Sequence, residues 1–546
     1  MTSTTSMHSR MATDLPELRQ HIARYLDFDT LKAFSLVCKA WHLDVRPILW
    51  DRFSCTVPWE CSAKLSRRRH AAWLDTIHRN ASSFRHIYYD IDSEPIVPEV
   101  RDLLLGRCHG LVTIEAIVTT PKFFDRTLVS MIKQNKDCLR QLRLRVRARS
   151  QFFVPISMVV PDPIIQPDPL SPLLPSLLAS LSNLRFLELG LSDMAVEDLL
   201  LVLGACSRSL ESLVLFSSIQ KTEHTGSAIH PHHPPSISTT TASLRLRQLR
   251  IHYTCAKGVL EAILSCLTMH SLEDLKLANA HSLRTIPALP RVLWRLTQLH
   301  LDGQWFNAGL VLSTFLDAIH PHQLRSVHLS NMRTECTASL VQQQHQSLET
   351  LNVTFMMDHR GALGDILATC SKLKRLVFKA NAFVDLRMLI DPQRPWVCTE
   401  LEVFEGYFGL SPFFPEPPSS ASGKSSNDEQ SHRVENLFMQ RLGQLTKLRK
   451  LVRQKNRDPA VRRDKNVMTW SLSSGLKHLA GLSNLQTLEF ADRHLPRGIG
   501  VAETVFIKQH WYSLQELTCK YIYDAAVRQW LATEWPELLV TLNWWD

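Results

Sequence analysis

The sequence predicts an α/β solenoid behind a small N-terminal unit of three helices. Three observations carry that prediction. A six-residue pattern, L-x-x-L-x-L, recurs along the chain, with good copies starting at Leu139, Leu184, Leu210, Leu246, Leu272, Leu296, Leu324, Leu348, Leu373, Leu485 and Leu514. The copies from Leu246 to Leu348 stand 26, 24, 28 and 24 residues apart, inside the window of about 20–29 residues typical of one strand plus one helix per repeat. Between copies the chain reads helical, as in 258–267 (GVLEAILSCL) and 308–316 (AGLVLSTFL). Alternate leucines of each copy point to one side of a strand, and a lone strand–helix unit cannot bury that side, so neighbours must stack. The expected product is a curved horseshoe with a parallel concave sheet and outer helices.

The stretch 15–50 does not repeat. Asp14 is a candidate helix cap, with Pro16 in the first turn and Glu17 near the positive end of the helix dipole. Leu15, Leu18, Ile22 and Leu26 then recur at helical spacing. Asp27 or Asp29 restarts the chain as a second cap, followed by an apolar face of Leu31, Phe34 and Val37. A third helix is expected from Cys38 to Ile48, with Trp41 and Val45 on it and Pro47 near its end. Three helices in about forty residues bury little, and apolar residues on more than one face imply that part of the surface meets another protein. On pattern alone the unit is equally a cap on the array or a partner-binding module.

Leu15-Pro16-Glu17-Leu18, Ile22, Leu26, Leu31, then Val37-Cys38-Lys39-Ala40-Trp41 and Trp50, resemble an F-box. Arg19 and Gln20 stand where that family often has apolar residues. The resemblance implies that Leu15, Pro16, Leu18, Ile22, Leu26, Leu31, Val37 and Trp41 bind a Skp-type adaptor, and through it a cullin, or support that surface. It implies a domain over 14–53, behind a disordered 1–13.

The remainder, 54–546, is expected to be the array. Weaker copies of the pattern start at Phe84, Cys108, Leu401 and Leu448. The array resembles irregular leucine-rich repeats joined to an F-box. It departs from them where Asn or Cys usually follows the third leucine, since Ser192, Ala280 and Met332 occupy that place. Segments 153–175, 217–243 and 411–432 are rich in Pro, Ser, Thr or His and bury too little to order themselves, so they read as disordered surface insertions. Trp530, Trp535, Trp544 and Trp545 read as the cap over the open end of the core.

Composition excludes several classes. The chain is 45% apolar and 21% charged, which is ordinary for a globular protein, and its net charge of +10 is mild for 546 residues. The first residues, MTSTTSMHSRMATD, lack the apolar core of a signal peptide, and no apolar run reaches the length of a membrane span. Twelve cysteines are scattered without a C-x-x-C pair, as expected of reduced, buried thiols in a cytoplasmic or nuclear protein. Gly423-Lys424-Ser425 ends like a phosphate-binding loop, but Pro418 stands where the motif needs glycine. His224, His230, His232 and His233 form a low-complexity cluster with no supporting Cys pair or H-E-x-x-H helix. No G-x-S-x-G turn is present. Neither a cofactor nor a metal is called for. Segment 447–465 carries nine basic residues against two acidic ones and reads as a solvated face, with an import signal or an anion-binding patch as alternatives.

In each repeat the residue between the last two apolar positions points away from the core. That assigns Arg250, Lys276, His300, His328 and Asn352 to a target-binding concave face, with Gln248, Asp274, Gln298, Ser326 and Thr350 in the next row. The functional expectation is a non-catalytic substrate receptor of a Skp–cullin–F-box ubiquitin ligase. The alternative is an F-box-bearing interaction scaffold outside ubiquitination. An enzyme has no catalytic constellation to stand on.

Overall fold

The structure is a computed structural model. It describes residues 16–54, 67–90, 98–118, 126–146, 173–190, 196–206, 208–216, 244–252, 271–278, 293–302, 316–317, 319–332, 334–355, 362–380, 384–390, 393–409, 426–454, 471–490, 499–519 and 524–542, with 263, 267, 468, 470 and 522 singly. Leu15, the histidine cluster, 423–425, Trp544 and Trp545 lie outside them. So do most of the three proposed insertions and of the stretches 258–267 and 308–316. The chain forms two compact units, 1–271 and 272–546.

The first unit opens with α1 (Pro16–Ala23), α2 (Phe28–Ser35) and α3 (Lys39–Leu49). Asp27 caps α2, its Oδ1 accepting from Thr30 N at 2.8 Å. Ala23, Leu31 and Val45 are buried between the helices, with Leu26, Trp41, Ile48 and Leu49 packed around them. Leu26 lies past the end of α1 rather than on it, and Val37 lies in the turn after α2 rather than on an apolar helical face. Arg19, at a position where an apolar residue was expected, is buried, pairs with Asp44 at 2.6 Å and lies over the Trp41 ring at 5.9 Å. It thus ties α1 to α3 with both charge and stem.

So small a core is marginal alone, and the structure does not leave it alone. The chain runs from α3 into β1 (Arg52–Ser54), which pairs in parallel with β2 (His86–Asp90). The boundary expected between 53 and 54 therefore falls inside a strand. Arg46 Nε donates to Asn80 Oδ1 at 2.6 Å on α4 (Arg67–Asn80), and the Trp50 and Phe84 rings pack 6.2 Å apart. The unit continues as α5 (Pro98–Arg107), β3 (Thr113–Val118), α6 (Arg126–Gln134), β4 (Gln141–Val146), α7 (Leu173–Ala179), β5 (Phe186–Gly190), α8 (Val196–Ala205), β6 (Ser212–Leu215) and β7 (Gln248–Ile251). Each strand pairs in parallel with the next.

The second unit repeats the plan. It runs β8 (Asp274–Ala278), β9 (Gln298–Asp302), β10 (Ser326–Met332), α9 (Thr334–Gln344), β11 (Thr350–Phe355), α10 (Ala362–Thr369) and β12 (Arg375–Ala380). A side pair of β13 (Val384–Asp385) and β15 (Phe408–Gly409) brackets α11 (Leu386–Leu389) and β14 (Val403–Gly406). Then come α12 (Ser426–Gly443), β16 (Lys450–Arg453), a 3₁₀ turn (Leu476–Gly481), β17 (Thr487–Phe490), α13 (Val501–His510), β18 (Glu516–Cys519), α14 (Ala525–Glu534) and β19 (Leu539–Leu542). The main strands, β8 to β12, β14 and β16 to β19, are again parallel, each beside the next. Two helices start inside segments read as insertions, α7 at 173 and α12 at 426, because their apolar residues, such as Leu174 and Phe438, reach the core.

One hydrogen-bond pattern generates this register. In most repeats the carbonyl of the residue after the first leucine accepts two N–H groups from the next repeat. Arg140 O takes Arg185 N and Phe186 N at 2.9 and 3.0 Å, and Arg325 O takes Glu349 N and Thr350 N at 2.8 Å each. The first leucines themselves are buried, from Leu139 to Leu514. The copy expected at Cys108 is out of frame, since β3 aligns Ile114 with Leu142 and so makes Leu111 the first leucine. Asn135 sets that frame, its Oδ1 accepting from Gly110 N (2.7 Å) and Leu111 N (2.9 Å). Gln344 does the same for Gln323 N and Leu324 N, both at 2.9 Å. These buried amides, at or just past helix ends, supply side-chain acceptors for backbone N–H groups in repeats that lack the usual asparagine.

Trp535 is buried at the end of α14, within the cap expected of the chain's last tryptophans. Trp511, not singled out from the sequence, is fully buried with Nε1 donating to Leu479 O at 2.8 Å. Cys108, Cys206, Cys370, Cys398 and Cys519 are buried, whereas Cys38 is exposed.

Two measurements test this packing. A Cβ at Gly443 would sit 2.0 Å from the His478 carbonyl oxygen, whereas at Gly204 it would meet open space. Gly443→Ala is expected to destabilise by about 1–3 kcal/mol and Gly204→Ala to stabilise by about 0.5–1 kcal/mol, read as shifts in the urea midpoint. Burial pushes the Cys108, Cys206 and Cys398 thiols up to about 12 from an ordinary 9.0. The folded state then holds protons that the unfolded chain releases first. Stability is therefore full below about pH 9 and falls above it, by about 1.4 kcal/mol per pH unit per thiol. Replacing Cys206 with Ala should flatten that alkaline decline in urea titrations.

Candidate interaction surfaces

The first surface lies on the three-helix unit. Tyr25, Leu36, Val37 and Leu43 are 78, 79, 67 and 55% exposed. Their exposure follows from local structure. Trp41, Val45, Ile48 and Leu49 turn one side of α3 to the core, and Leu43, two residues from Trp41, is carried to the other. Leu36 N and Val37 N bond to Ala33 O and Phe34 O at 3.0 and 3.1 Å, so the turn backbone is satisfied while its side chains face water. Several large apolar residues exposed on one small unit point to a partner.

The residues assigned to adaptor binding from sequence divide. Pro16 and Val37 are exposed, Leu18 and Ile22 are half-buried, Leu26 and Trp41 pack against the core, and Leu31 is buried in it. Leu15 lies outside the described residues. Tyr25, Leu36 and Leu43 were missed. The available signal was apolar residues at helix ends and off the Trp41–Val45 stripe.

The second surface is the sheet face opposite the leucines. Arg250, Lys276, His300, His328 and Asn352 are all half-buried there, between buried apolar neighbours. In the second unit Lys276, His300, His328 and Asn352 are cross-strand neighbours in register. The two imidazoles stack at 3.8 Å between ring centroids. The same row continues through Val377, Glu405, Val452 and Glu489, so its chemistry changes from basic to acidic. Burial holds the Glu489 carboxyl above the usual range, Lys450 opposes that, and Glu405 and Glu516 add to it.

The first unit carries a different arrangement on this face. Arg143 reaches Glu115 at 3.3 Å and Glu188 at 3.8 Å, and Arg145 reaches Glu115 at 3.3 Å and also bonds Glu188. The Glu188 hydrogen bond is the main reason that the Arg145 pKa is raised. These charges answer one another within the sheet.

The basic stretch 447–465 is partly structural. Lys447 Nζ pairs with Glu400 Oε1 at 2.7 Å, and Arg453 is buried with Nε donating to Phe408 O at 3.1 Å. Residues 455–465 lie outside the described residues. Among the described residues no group of three His, Cys, Asp or Glu could hold a metal ion, and no helix is long and apolar enough to cross a membrane.

Residues 13–43 match the family model of the F-box domain. The chain therefore carries an F-box domain, the kind of module that binds Skp-type adaptors. No curated protein matches the chain. Among solved structures, the crystal structure of a TLR13–ssRNA13 complex is similar at 12% identity with a TM-score of 0.27, over 86% of this chain and 59% of that one. This chain thus spans less than two thirds of that protein, and a likeness of that degree carries no argument about it.

The division into core and surface is testable. Leu31→Ala is expected to cost about 2–5 kcal/mol and loosen all three helices, seen as faster amide exchange across 16–49. Val37→Ala should leave exchange there unchanged within about 0.5 kcal/mol.

Proposed function

We propose that this protein is the substrate-recognition subunit of a Skp–cullin–F-box ubiquitin ligase, in which α1–α3 dock the adaptor and a leucine-rich-repeat array holds the target. The observation that carries the proposal is an F-box domain whose Tyr25, Leu36, Val37 and Leu43 face water while its chain continues, through β1, into the sheet of the array. The repeat spacing, the buried first leucines and the shared-carbonyl ladder support the leucine-rich-repeat reading. The protein itself makes and breaks no bond. It raises the effective concentration of target lysines beside a ubiquitin-loaded enzyme, and a strand-paired junction serves that end better than a flexible tether.

The polar row of Lys276, His300, His328 and Asn352 in the second unit is our candidate for the target surface, and Arg250 holds the corresponding strand position in the first. The row offers one side chain per strand at about 4.8 Å spacing, a ruler for an extended or helical segment. The reading carries with it a cytoplasmic or nuclear location.

The test uses the full chain carrying Leu36→Asp and Leu43→Asp. Recovery of the adaptor in pull-downs should fall at least tenfold while the thermal melt stays unchanged, and full recovery would defeat the proposal. In cells relying on the double variant, proteins held by the array should accumulate. If they bind the array and keep their abundance, the chain is an F-box-bearing scaffold instead.

A further inference from the structure

The position just after each first leucine, which supplies the ladder carbonyl, also places a side chain at the start of every strand. In the second unit these side chains alternate in sign. Arg325, Glu349, Lys374 and Glu402 follow one another, and Lys374 Nζ meets Glu349 Oε2 at 2.8 Å. In the first unit the run is Asp51, Arg85, Val112, Arg140, Arg185 and Glu211, so Arg85, Val112, Arg140 and Arg185 form a stretch without an acidic residue between two acidic ends. A cavity of about 400 Å³ opens at that stretch, lined by all four. Three arginines and one aspartate, Asp137, are the charged residues of its lining.

The cavity is built rather than incidental. Arg85 Nη1 donates to Gly110 O at 3.0 Å. Gly110 has φ +106°, and a Cβ there would lie 2.1 Å from that same Nη1, so glycine is required for the arginine to lie where it does. Gly110 is itself held by buried Asn135 through its N–H at 2.7 Å. Val112, small and uncharged, separates Arg85 from Arg140 and leaves space between them. Asn183 Nδ2 donates to the Asp137 backbone carbonyl at 2.7 Å, tying two lining residues together. Among the described residues the Arg140 guanidinium meets no acidic partner, and Arg185 faces only Glu211, at 3.8 Å and well exposed. Cations on neighbouring strands repel unless an anion joins them.

We propose that this cavity binds a small phosphorylated sugar. Guanidinium forks match phosphate oxygens in pairs, and Arg140 and Arg185, on adjacent strands, can share one phosphate while Arg85 takes a second. Asp137 accepts from sugar hydroxyls, which a bare phosphate does not supply. Among the described residues no aromatic ring lines the cavity, so a nucleobase would lack the aromatic platform on which bases commonly stack. The volume lies in the range of about 300–1,000 Å³ that encloses small ligands. The inference is independent of the F-box reading, because no residue of the cavity belongs to α1–α3.

Titration calorimetry on the purified full chain tests it. Fructose 1,6-bisphosphate should bind, and fructose should not. Arg140→Ala and Arg85→Ala should each weaken binding by about tenfold or more. Arg449→Ala, at the equivalent repeat position outside the cavity, should leave it unchanged, with all variants matching the parent in circular-dichroism melts. Failure of the bisphosphate to bind, or equal weakening by Arg449→Ala, would overturn the proposal. A phosphoserine peptide that binds more tightly than the bisphosphate would overturn the choice of a small molecule.

Discussion

A carbonyl that accepts two N–H groups from the following repeat is the constraint on which the rest of this structure depends. It occurs at Asp51, Arg85, Val112, Arg140, Arg185 and Glu211 in the first unit, and from Glu273 to Gln486 in the second. Two consecutive amides on one oxygen leave a neighbouring strand a single parallel register. That register puts every first leucine at the same depth. Each bond contributes only about 0.5–1.5 kcal/mol net. Their repetition is what makes long gaps between hexads tolerable, since a repeat needs only its ladder pair and its leucines to join the stack.

Asp51 is the first of these acceptors, and it sits one residue after Trp50, immediately beyond α3. The three-helix unit is thereby the leading edge of the array rather than a bead on a tether. Its own core, three buried side chains, is too small to be secure alone. Arg46 on Asn80 and Trp50 on Phe84 add the missing support. These contacts leave Tyr25, Leu36, Val37 and Leu43 of the three-helix unit uncovered.

The ladder also explains how one scaffold carries different electrostatics on different faces. Positions two residues apart along a strand share a side, so each face is written by one letter of the hexad. On the face opposite the leucines, the first unit neutralises itself through Glu115, Arg143, Arg145 and Glu188, while the second presents Lys276, His300 and His328 before Glu405 and Glu489. At the strand starts the contrast is reversed, with alternating charges in the second unit and a cluster of arginines in the first. Neighbouring strands are only about 4.8 Å apart, so a change of one letter in one repeat changes the field felt by the next.

Much of the fold was legible because a leucine at fixed spacing has few places to go. The hexads, the strand positions, a polar row opposite the leucines, a cap at Asp27 or Asp29 and the three N-terminal helices all follow from period and residue chemistry. The frame at Leu111 rather than Cys108 was not legible, since it depends on Asn135, two dozen residues away in sequence, reaching back to Gly110. Nor was the sorting of Leu31 into the core and Leu36 and Leu43 onto the surface, since hydrophobicity is the same in both places and only packing distinguishes them. Arg19 looked like a departure and is a buried tie, because its partner Asp44 comes from another helix. The cavity is the clearest case of all. Arg85, Arg140 and Arg185 are spread over a hundred residues of sequence, and only the stacking of repeats brings them to the lining of one cavity. Sequence by itself determined what repeats and which side of each repeat is apolar, because those are local properties. Tertiary structure alone decided which distant side chains meet, because that depends on the register between repeats.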